Sequence, residues 1–430
     1  MSDNRIKAVI GTKDILPEES KLWIKLISSI ARVISSYNYY YIQTPVFELT
    51  ELFARGIGET SDVVSKEMYT FMDKGERSLT LRPEGTAPVV RAYNEHSLGA
   101  SQGLVKVWYA GPMFRQERPQ AGRQRQFHQF GIEALGSLDP ALDAEVIELS
   151  YRIHLELGIS DSEIFINSVG MPEDRRRHRE QFVKFVTPIY NEFCDDCKRR
   201  FHTNPLRMFD CKVEKCRSLL GDAPLLYDYL SKESLSHFEL VSKYLELMKV
   251  PCKVDKKMVR GLDYYTRTAW EIKSHKLGAQ DSLGGGGRYD LLAEQLGGKP
   301  TPAIGYAGGL ERMLLAIPQD DVKDSRKDLG FFIITADQKF KDEAIKLSAK
   351  LHSLGIKADI DYLGRSLKSQ MKQADKFNLK YAIILAEQEM EHGKIAVRDM
   401  DNSEQTEIAL EKIHNLTSID ELGEIIGRDK

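Results

Sequence analysis

Between Gly111 and Gly136 the chain reads GPMFRQERPQAGRQRQFHQFGIEALG, two strand-like flanks around a polar, arginine-rich loop. Side chains alternate across a strand. Phe127, Gln129, Gly131 and Glu133 therefore share one face, and His128, Phe130, Ile132 and Ala134 the other. The second face is largely apolar and reads as core. The first sets an amide and a carboxylate on either side of a residue with no side chain. That pattern suits a buried strand whose gap over Gly131 is filled by a polar ligand. By the same alternation Arg115 and Glu117 share a face. Arg118, Arg123 and Arg125 in the loop are planar donors matched to phosphate. The stretch describes a pocket with carboxylate and amide at its floor and guanidinium groups at its mouth. A surface hairpin with solvated charges contains the same residues, and this stretch alone does not separate the two.

Other stretches carry polar or glycine-rich chemistry. In LRPEGT (81–86), Glu84 and Thr86 flank Gly85 at the start of a predicted helix, where acid and hydroxyl both suit a cap. VRGLDYYTRT (259–268) sets Arg260 beside Gly261, with Tyr264 and Tyr265 following. A buried, ion-paired arginine with two core tyrosines is one account of it. Gly284–Gly287, followed by Arg288, lets backbone approach a ligand where no Cβ fits. GxxxxGK[ST] is absent from the chain, and the run is neither a Walker loop nor a dinucleotide fingerprint. Gly305, Gly308 and Gly309 precede a predicted helix bearing Arg312. Cys194-x2-Cys197 has the spacing of a zinc-ligand pair, and Cys211-x4-Cys216 is looser. Four reduced thiols are favoured there over a structural Zn2+.

These residues need elements to hold them. Pro17, Glu18 and Glu19 suit a first helical turn, and Leu22, Leu26, Ile30, Val33 and Ile34 recur at helical spacing. Tyr39–Thr44 reads as a strand stopped by Pro45. Glu67–Met72 and Ser78–Arg82 read as strands around an Asp73–Glu76 turn. A helix runs from Asp139–Pro140 to about Leu157, and Glu163–Val169 is another strand. From Met171 to Pro251 the texture becomes charged and helical. Arg175, Arg176, Arg177 and Arg179, with Lys198, Arg199 and Arg200, are either phosphate contacts or a solvated helix face. Thr268–Lys273 and Ala279–Leu283 read as paired strands. After Ile317 the polar PQDDVKDSRKD reads as a linker. Beyond it, predicted strands at 330–335, 356–360, 381–386, 394–398 and 404–408, with helices at 340–354 and 367–377, imply a mixed sheet with parallel members.

Composition sets the outer bounds. With 430 residues, 42% hydrophobic and 29% charged, the chain is long enough for two or three globular domains. A formal net charge of −3 means that an RNA partner would need local basic patches. No apolar run approaches the roughly 18 residues of a membrane helix, and the N-terminus lacks a signal-peptide pattern. Five cysteines make no disulfide framework, which fits a reducing cytoplasm.

Gly111–Gly136 resembles motif 2 of the class II aminoacyl-tRNA synthetases, with Arg115 as the arginine of FRxE. VRGLDYYTRT resembles the signature of the histidyl-tRNA synthetases, and AIGYAGGLERML (303–314) resembles motif 3, with Arg312 as its arginine. LRPEGT and GTKDILP (11–17) also match that family. The five fall in the family's order and cover essentially the whole chain.

The resemblance implies an α+β fold: a class II antiparallel sheet with flanking helices, a helical insertion and a C-terminal α/β mixed-sheet domain. It implies a catalytic domain at 1–170 and 252–325, an insertion domain at 171–251 that reaches the tRNA acceptor arm, and an anticodon-binding domain at 326–430. It implies a two-fold homodimer built on the segment from Pro17 to Pro45. It implies ATP-dependent activation of L-histidine, with Mg2+, and transfer to tRNA(His). Arg115 and Arg260 then stand at the α-phosphate, and Arg123 and Arg312 at the β- and γ-phosphates. Phe127 stacks on adenine and Glu117 is an ATP-side carboxylate. Glu84, Thr86 and Gln129 are three acceptors for the α-ammonium. Glu133 and Tyr265, beside Tyr264, read the two imidazole nitrogens. A non-catalytic regulatory subunit of histidine biosynthesis shares the fold. Such subunits usually lack the two extra domains and erode the arginines, which are intact here.

Overall fold

The structure is a computed structural model that describes residues 5–426, apart from 59–60, 62, 120–121, 279–280 and 319–327. It divides into two compact units, residues 1–319 and 320–430.

The strands of the first unit are β1 (Tyr40–Tyr41), β2 (Phe47–Leu49), β3 (Tyr69–Met72), β4 (Ser78–Leu81), β5 (Val105–Phe114) and β6 (Gln126–Leu135), followed by β7 (Ser162–Ser168), β8 (Cys252–Val254), β9 (Thr266–Ser274), β10 (Ser282–Arg288) and β11 (Ala303–Gly309). Eight of them form one sheet in the order β1-β5-β6-β11-β10-β9-β7-β8. Its six inner strands are antiparallel throughout. Only the short edges, β1 on β5 and β8 on β7, pair in parallel. β2, β4 and β3 make a separate small antiparallel sheet.

Helices cover the sheet because their apolar residues fall on one stripe. The helix Pro17–Ser35 starts with proline at N1 and buries Trp23, Leu26, Ile30, Val33 and Ile34. The helix Pro140–Glu156 is capped by Asp139, whose side chain accepts from the Ala141 N–H at 2.9 Å. It packs against the Pro17–Ser35 helix, the Lys232–Leu247 helix and β11. That position explains why Leu142, Ala144, Val146, Ile147, Leu149 and Ile153 are all buried.

A buried ionic network joins these layers. Arg288, at the end of β10, is fully buried; its Nε donates to Asp143 Oδ1 at 2.8 Å, and its Nη1 to Asp290 Oδ1 at 3.0 Å. Asp143 Oδ2 also meets His237 Nε2 at 2.8 Å. One carboxylate thus links the sheet, the long helix and the helix Lys232–Leu247.

Several expectations shift by register. The strand predicted at Tyr39–Thr44 pairs as a strand only over Tyr40–Tyr41, although the Ile42 N–H still donates to Trp108 O at 2.9 Å. The strand predicted from Glu67 starts at Tyr69, because Val63–Glu67 coils into a π-helical turn. The strand predicted at Ala279–Leu283 begins at Ser282, and Ala279 lies outside the described residues. Gly284–Gly287 follow it as strand, paired with β11 on one side and β9 on the other.

Residues 171–251 form helices at Pro172–Val186, Asp195–Thr203, Glu214–Leu219 and Lys232–Leu247, joined by 3-10 turns. In the second unit, strands Asp328–Thr335, Lys357–Ile360 and Leu379–Leu385 are parallel. Lys394–Asp399 and Gln405–Ala409 extend the sheet antiparallel. Helices Lys341–Ser353 and Leu367–Lys376 make the crossovers that parallel pairing requires. The expected linker lies mostly outside the described residues.

Candidate active site

A cavity of about 640 Å³ opens over β6, β10 and β11. Arg115 after β5, Arg123 in the hairpin loop, Arg260 ahead of β9 and Arg312 on the helix Leu310–Ala316 line it, joined by Arg200 and Arg207 from the segment between residues 171 and 251. Glu84, Thr86 and Gln129 line it too. The cavity therefore joins a cationic region to a cluster of acceptors, drawn from segments far apart in sequence.

Each cation is held by the backbone or a carboxylate. Arg115 Nε donates to Pro83 O at 3.0 Å, and its guanidinium carbon lies 5.3 Å from the Phe127 ring centroid. Arg123 Nη1 donates to Glu117 Oε2 at 3.0 Å. Arg312 donates from Nε to Gly122 O at 3.3 Å and from Nη1 to Ser282 O. Burial, and then the nearby Arg123, lower the Arg312 pKa below its usual value. Two cations that disfavour each other across a cavity favour an anion between them. Arg260 Nη1 lies 3.8 Å from Glu271 Oε1, and its buried Nε has no hydrogen-bond partner.

The acceptor side begins at the helix Thr86–Glu95. Glu84 Oε2 accepts from the Thr86 N–H at 2.6 Å and Oε1 from the Ala87 N–H at 2.9 Å, so the capping role is real. Burial nevertheless raises the Glu84 pKa. Gln129 Oε1 is buried and unpartnered, a costly state that a ligand donor would relieve.

Glu133 lies beneath the cavity lining, fully buried. Its Oε1 accepts from Thr86 Oγ1 at 2.8 Å and from Tyr109 OH at 3.4 Å, and its Oε2 from Tyr289 OH at 2.5 Å. Burial outweighs these bonds and pushes its pKa up to about 8. Tyr264 and Tyr265 do line the cavity, with ring centroids 4.7 Å apart, and Tyr289 packs on Tyr264 at 5.8 Å.

The structure refines several of the sequence expectations. The gap over Gly131 is filled by protein: the Tyr109 ring occupies the space where Cβ atoms on Gly131 and on Gly85 would stand. In the glycine run, Gly284 and Gly285 line the cavity as backbone, and the run also makes room for side chains, Arg260 over Gly285, Tyr265 over Gly287, Trp270 over Gly286 and Tyr306 over Gly284. Arg118 and Arg125 are absent from the cavity lining. Arg125 instead ties the hairpin to the N-terminal segment, its backbone N–H donating to Gly11 O at 2.7 Å. On the helix Pro172–Val186, Arg175 Nη1 donates to Tyr265 O at 3.0 Å, and the exposed Arg176 is paired with Glu173 and Glu180, as on a solvated helix face.

Sequence reasoning missed Tyr109, Tyr289, Arg207 and Asp210. Tyr289 stands two residues after the glycine run, but only sheet register brings it to Glu133. Arg207 and Asp210 line the cavity from the 3-10 turn Pro205–Asp210, and no motif marks them.

The inner antiparallel strands, the arginine hairpin and the glycine-to-helix turn before Arg312 define the catalytic fold of a class II aminoacyl-tRNA synthetase. A family model described as histidyl-tRNA synthetase matches residues 11–174 and 207–313, and one described as anticodon binding domain matches 330–418. The chain is 50% identical over 406 residues to a histidine–tRNA ligase of Halothermothrix orenii, covering 94% of this chain and 97% of that one. It is 46% identical over 425 residues to a histidine–tRNA ligase of Geobacillus kaustophilus, covering 98% of each. The crystal structure of apo histidyl-tRNA synthetase from S. aureus superposes with a TM-score of 0.80 at 41% identity, covering 95% of this chain and 99% of that one. The chain belongs to the histidyl-tRNA synthetase family.

Proposed function

We propose that the chain activates L-histidine with MgATP and transfers the histidyl group to the 3′ end of tRNA(His). The observation that carries this reading is the convergence of Arg115, Arg123, Arg260 and Arg312 on one cavity beside Glu84, Thr86 and Gln129. Joining a carboxylate to the α-phosphorus of ATP brings two anions together at a centre that gains negative charge. Fixed cations offset that repulsion, and orientation supplies much of the remaining barrier reduction.

Arg260 and Arg115 take the α-phosphate and the attacking carboxylate. Arg123 and Arg312 take the β- and γ-phosphates, and Mg2+ arrives with the nucleotide to neutralise the leaving pyrophosphate. Phe127, already backed by Arg115, offers its ring to adenine, and Glu117 faces the nucleotide. Glu84, Thr86 and the unpartnered Gln129 Oε1 accept from the α-ammonium. Imidazole offers one donor and one acceptor. Tyr265 meets one nitrogen, and Glu133, presented through Thr86 and Tyr289, answers the other. A side chain lacking that pair would leave buried polar groups unmatched, a large discrimination without editing.

The second unit receives the anticodon and the insertion faces the acceptor arm. The two-fold dimer is supported by the apolar surface of the β1–β3 region, where Tyr40 is 67% exposed and Met72 61%. The regulatory-subunit reading is disfavoured by a cavity that keeps all four arginines. The deciding experiment is ATP–pyrophosphate exchange with a panel of amino acids. Histidine alone should support it; exchange with another amino acid, or none at all, would refute the assignment.

A further inference from the structure

Cys194, Cys197, Cys211 and Cys216 bring their four sulfur atoms within 4.8 Å of one another, although 22 residues of chain separate the first from the last. Sulfurs around a tetrahedral zinc with bonds of about 2.3 Å stand about 3.8 Å apart. Cys194 Sγ and Cys211 Sγ are 3.8 Å apart. That separation also excludes a bond between those two atoms, and all four cysteines are free.

The backbone is arranged for thiolates. Cys194 caps the helix Asp195–Thr203, so its sulfur stands at the positive end of that helix. Its own N–H donates to Cys216 Sγ at 3.4 Å. Donors aimed at sulfur orient and stabilise metal-bound thiolates; four neutral thiols packed as core would not need them.

The insertion has reason to need a staple. Apart from the cysteines, the cluster packed around this site has only Phe182, Val186, Phe193, Met208, Leu220 and Ala223 as buried apolar residues. So small a core leaves little margin over chain entropy. The segment between the two cysteine pairs also carries Arg200, Arg207 and Asp210, which line the catalytic cavity.

We infer that Cys194, Cys197, Cys211 and Cys216 hold a structural zinc ion, which pins the segment forming the insertion's wall of the catalytic cavity. The inference needs no ligand beyond the four sulfurs, and a closed set of four thiolates leaves no open position for catalysis.

The test begins with the full-length protein purified without chelator from zinc-supplemented cells. Elemental analysis should find one zinc per chain, and an organomercurial should release it, read with a zinc-sensitive dye, as the thiols titrate. Cobalt-grown protein should show the visible bands of tetrahedral thiolate coordination. Cys211→Ser and Cys216→Ser should fall below about a tenth of an ion per chain, while Cys252→Ser, a thiol outside the cluster, should keep the full ion. Protease cleavage between residues 198 and 210 should rise on zinc removal. Zinc-free wild-type protein, zinc retained in both cluster variants, or disulfides among the four cysteines by mass would each overturn the inference. Should the variants not fold, wild-type stoichiometry and the cobalt spectrum still decide it.

Discussion

The guanidinium of Arg260 lies directly across Gly285, so close that a Cβ on that glycine would stand 2.5 Å from both Nη1 and Nη2. Gly285 does not have a positive φ. It is glycine for room, and the room is used to lay a cation along the sheet. Gly285→Ala should therefore displace Arg260 without altering any charge. Histidine-dependent pyrophosphate exchange should fall about 100-fold, with little change in the thermal midpoint. Full exchange would show that the position of Arg260 is unimportant.

Arg260→Ala removes the cation outright. Loss of one fixed donor at a developing charge costs about 100- to 1,000-fold, so exchange should drop at least that far while the fold persists. Near-normal exchange would refute the role of Arg260 at the α-phosphate.

Glu133 links acidity to stability. Its pKa is about 8 in the fold against an ordinary 4.5, so the folded state holds a proton that the unfolded chain releases. The unfolded state binds fewer protons between those values, so stability falls as pH rises from about 4.5 through 8. Each unit of that shift is about 1.4 kcal/mol. Glu133→Gln, neutral at every pH, should melt near wild type at pH 5 and above it at pH 9. It should also raise the KM for histidine far more than that for ATP. Melting curves with the same pH dependence in both proteins, or equal KM effects, would contradict this account.

Asp143 and Arg288 are both fully buried and bonded. Removing one partner leaves a buried charge uncompensated, a cost of about 3–5 kcal/mol. Asp143→Ala should lower unfolding free energy by that amount in denaturant titrations. A change under about 1 kcal/mol would mean that water reaches Arg288.

The two units have separate cores. Residues 1–326 alone should retain part of the adenylation activity and charge tRNA poorly. Undiminished charging would remove the second unit from tRNA recognition.

Much of this was legible in one dimension. Strand alternation around Phe127–Glu133 and helical spacing from Leu22 to Ile34 follow from local geometry, so they can be read without a partner. The α/β pattern after Leu329 was readable for the same reason, each helix and strand declaring its own period. Arg115, Arg260 and Arg312 were legible as candidates through the motifs they share with a known family, whereas loop context alone marked Arg118, Arg123 and Arg125 equally, and only Arg123 of these lines the cavity. What fills a gap was not legible. Whether a ligand or the Tyr109 ring stands over Gly131 depends on the pairing of β5 with β6. Whether Tyr289 reaches Glu133 depends on how β10 leads into its neighbours. The cysteine pairs show the limit most plainly: their spacing left reduced thiols the better reading, and only the packing of two short helices set four sulfurs around one point. Residue types and local periods are properties of neighbours along the chain. Distances between remote segments are set by register and packing, which exist only once the chain has folded.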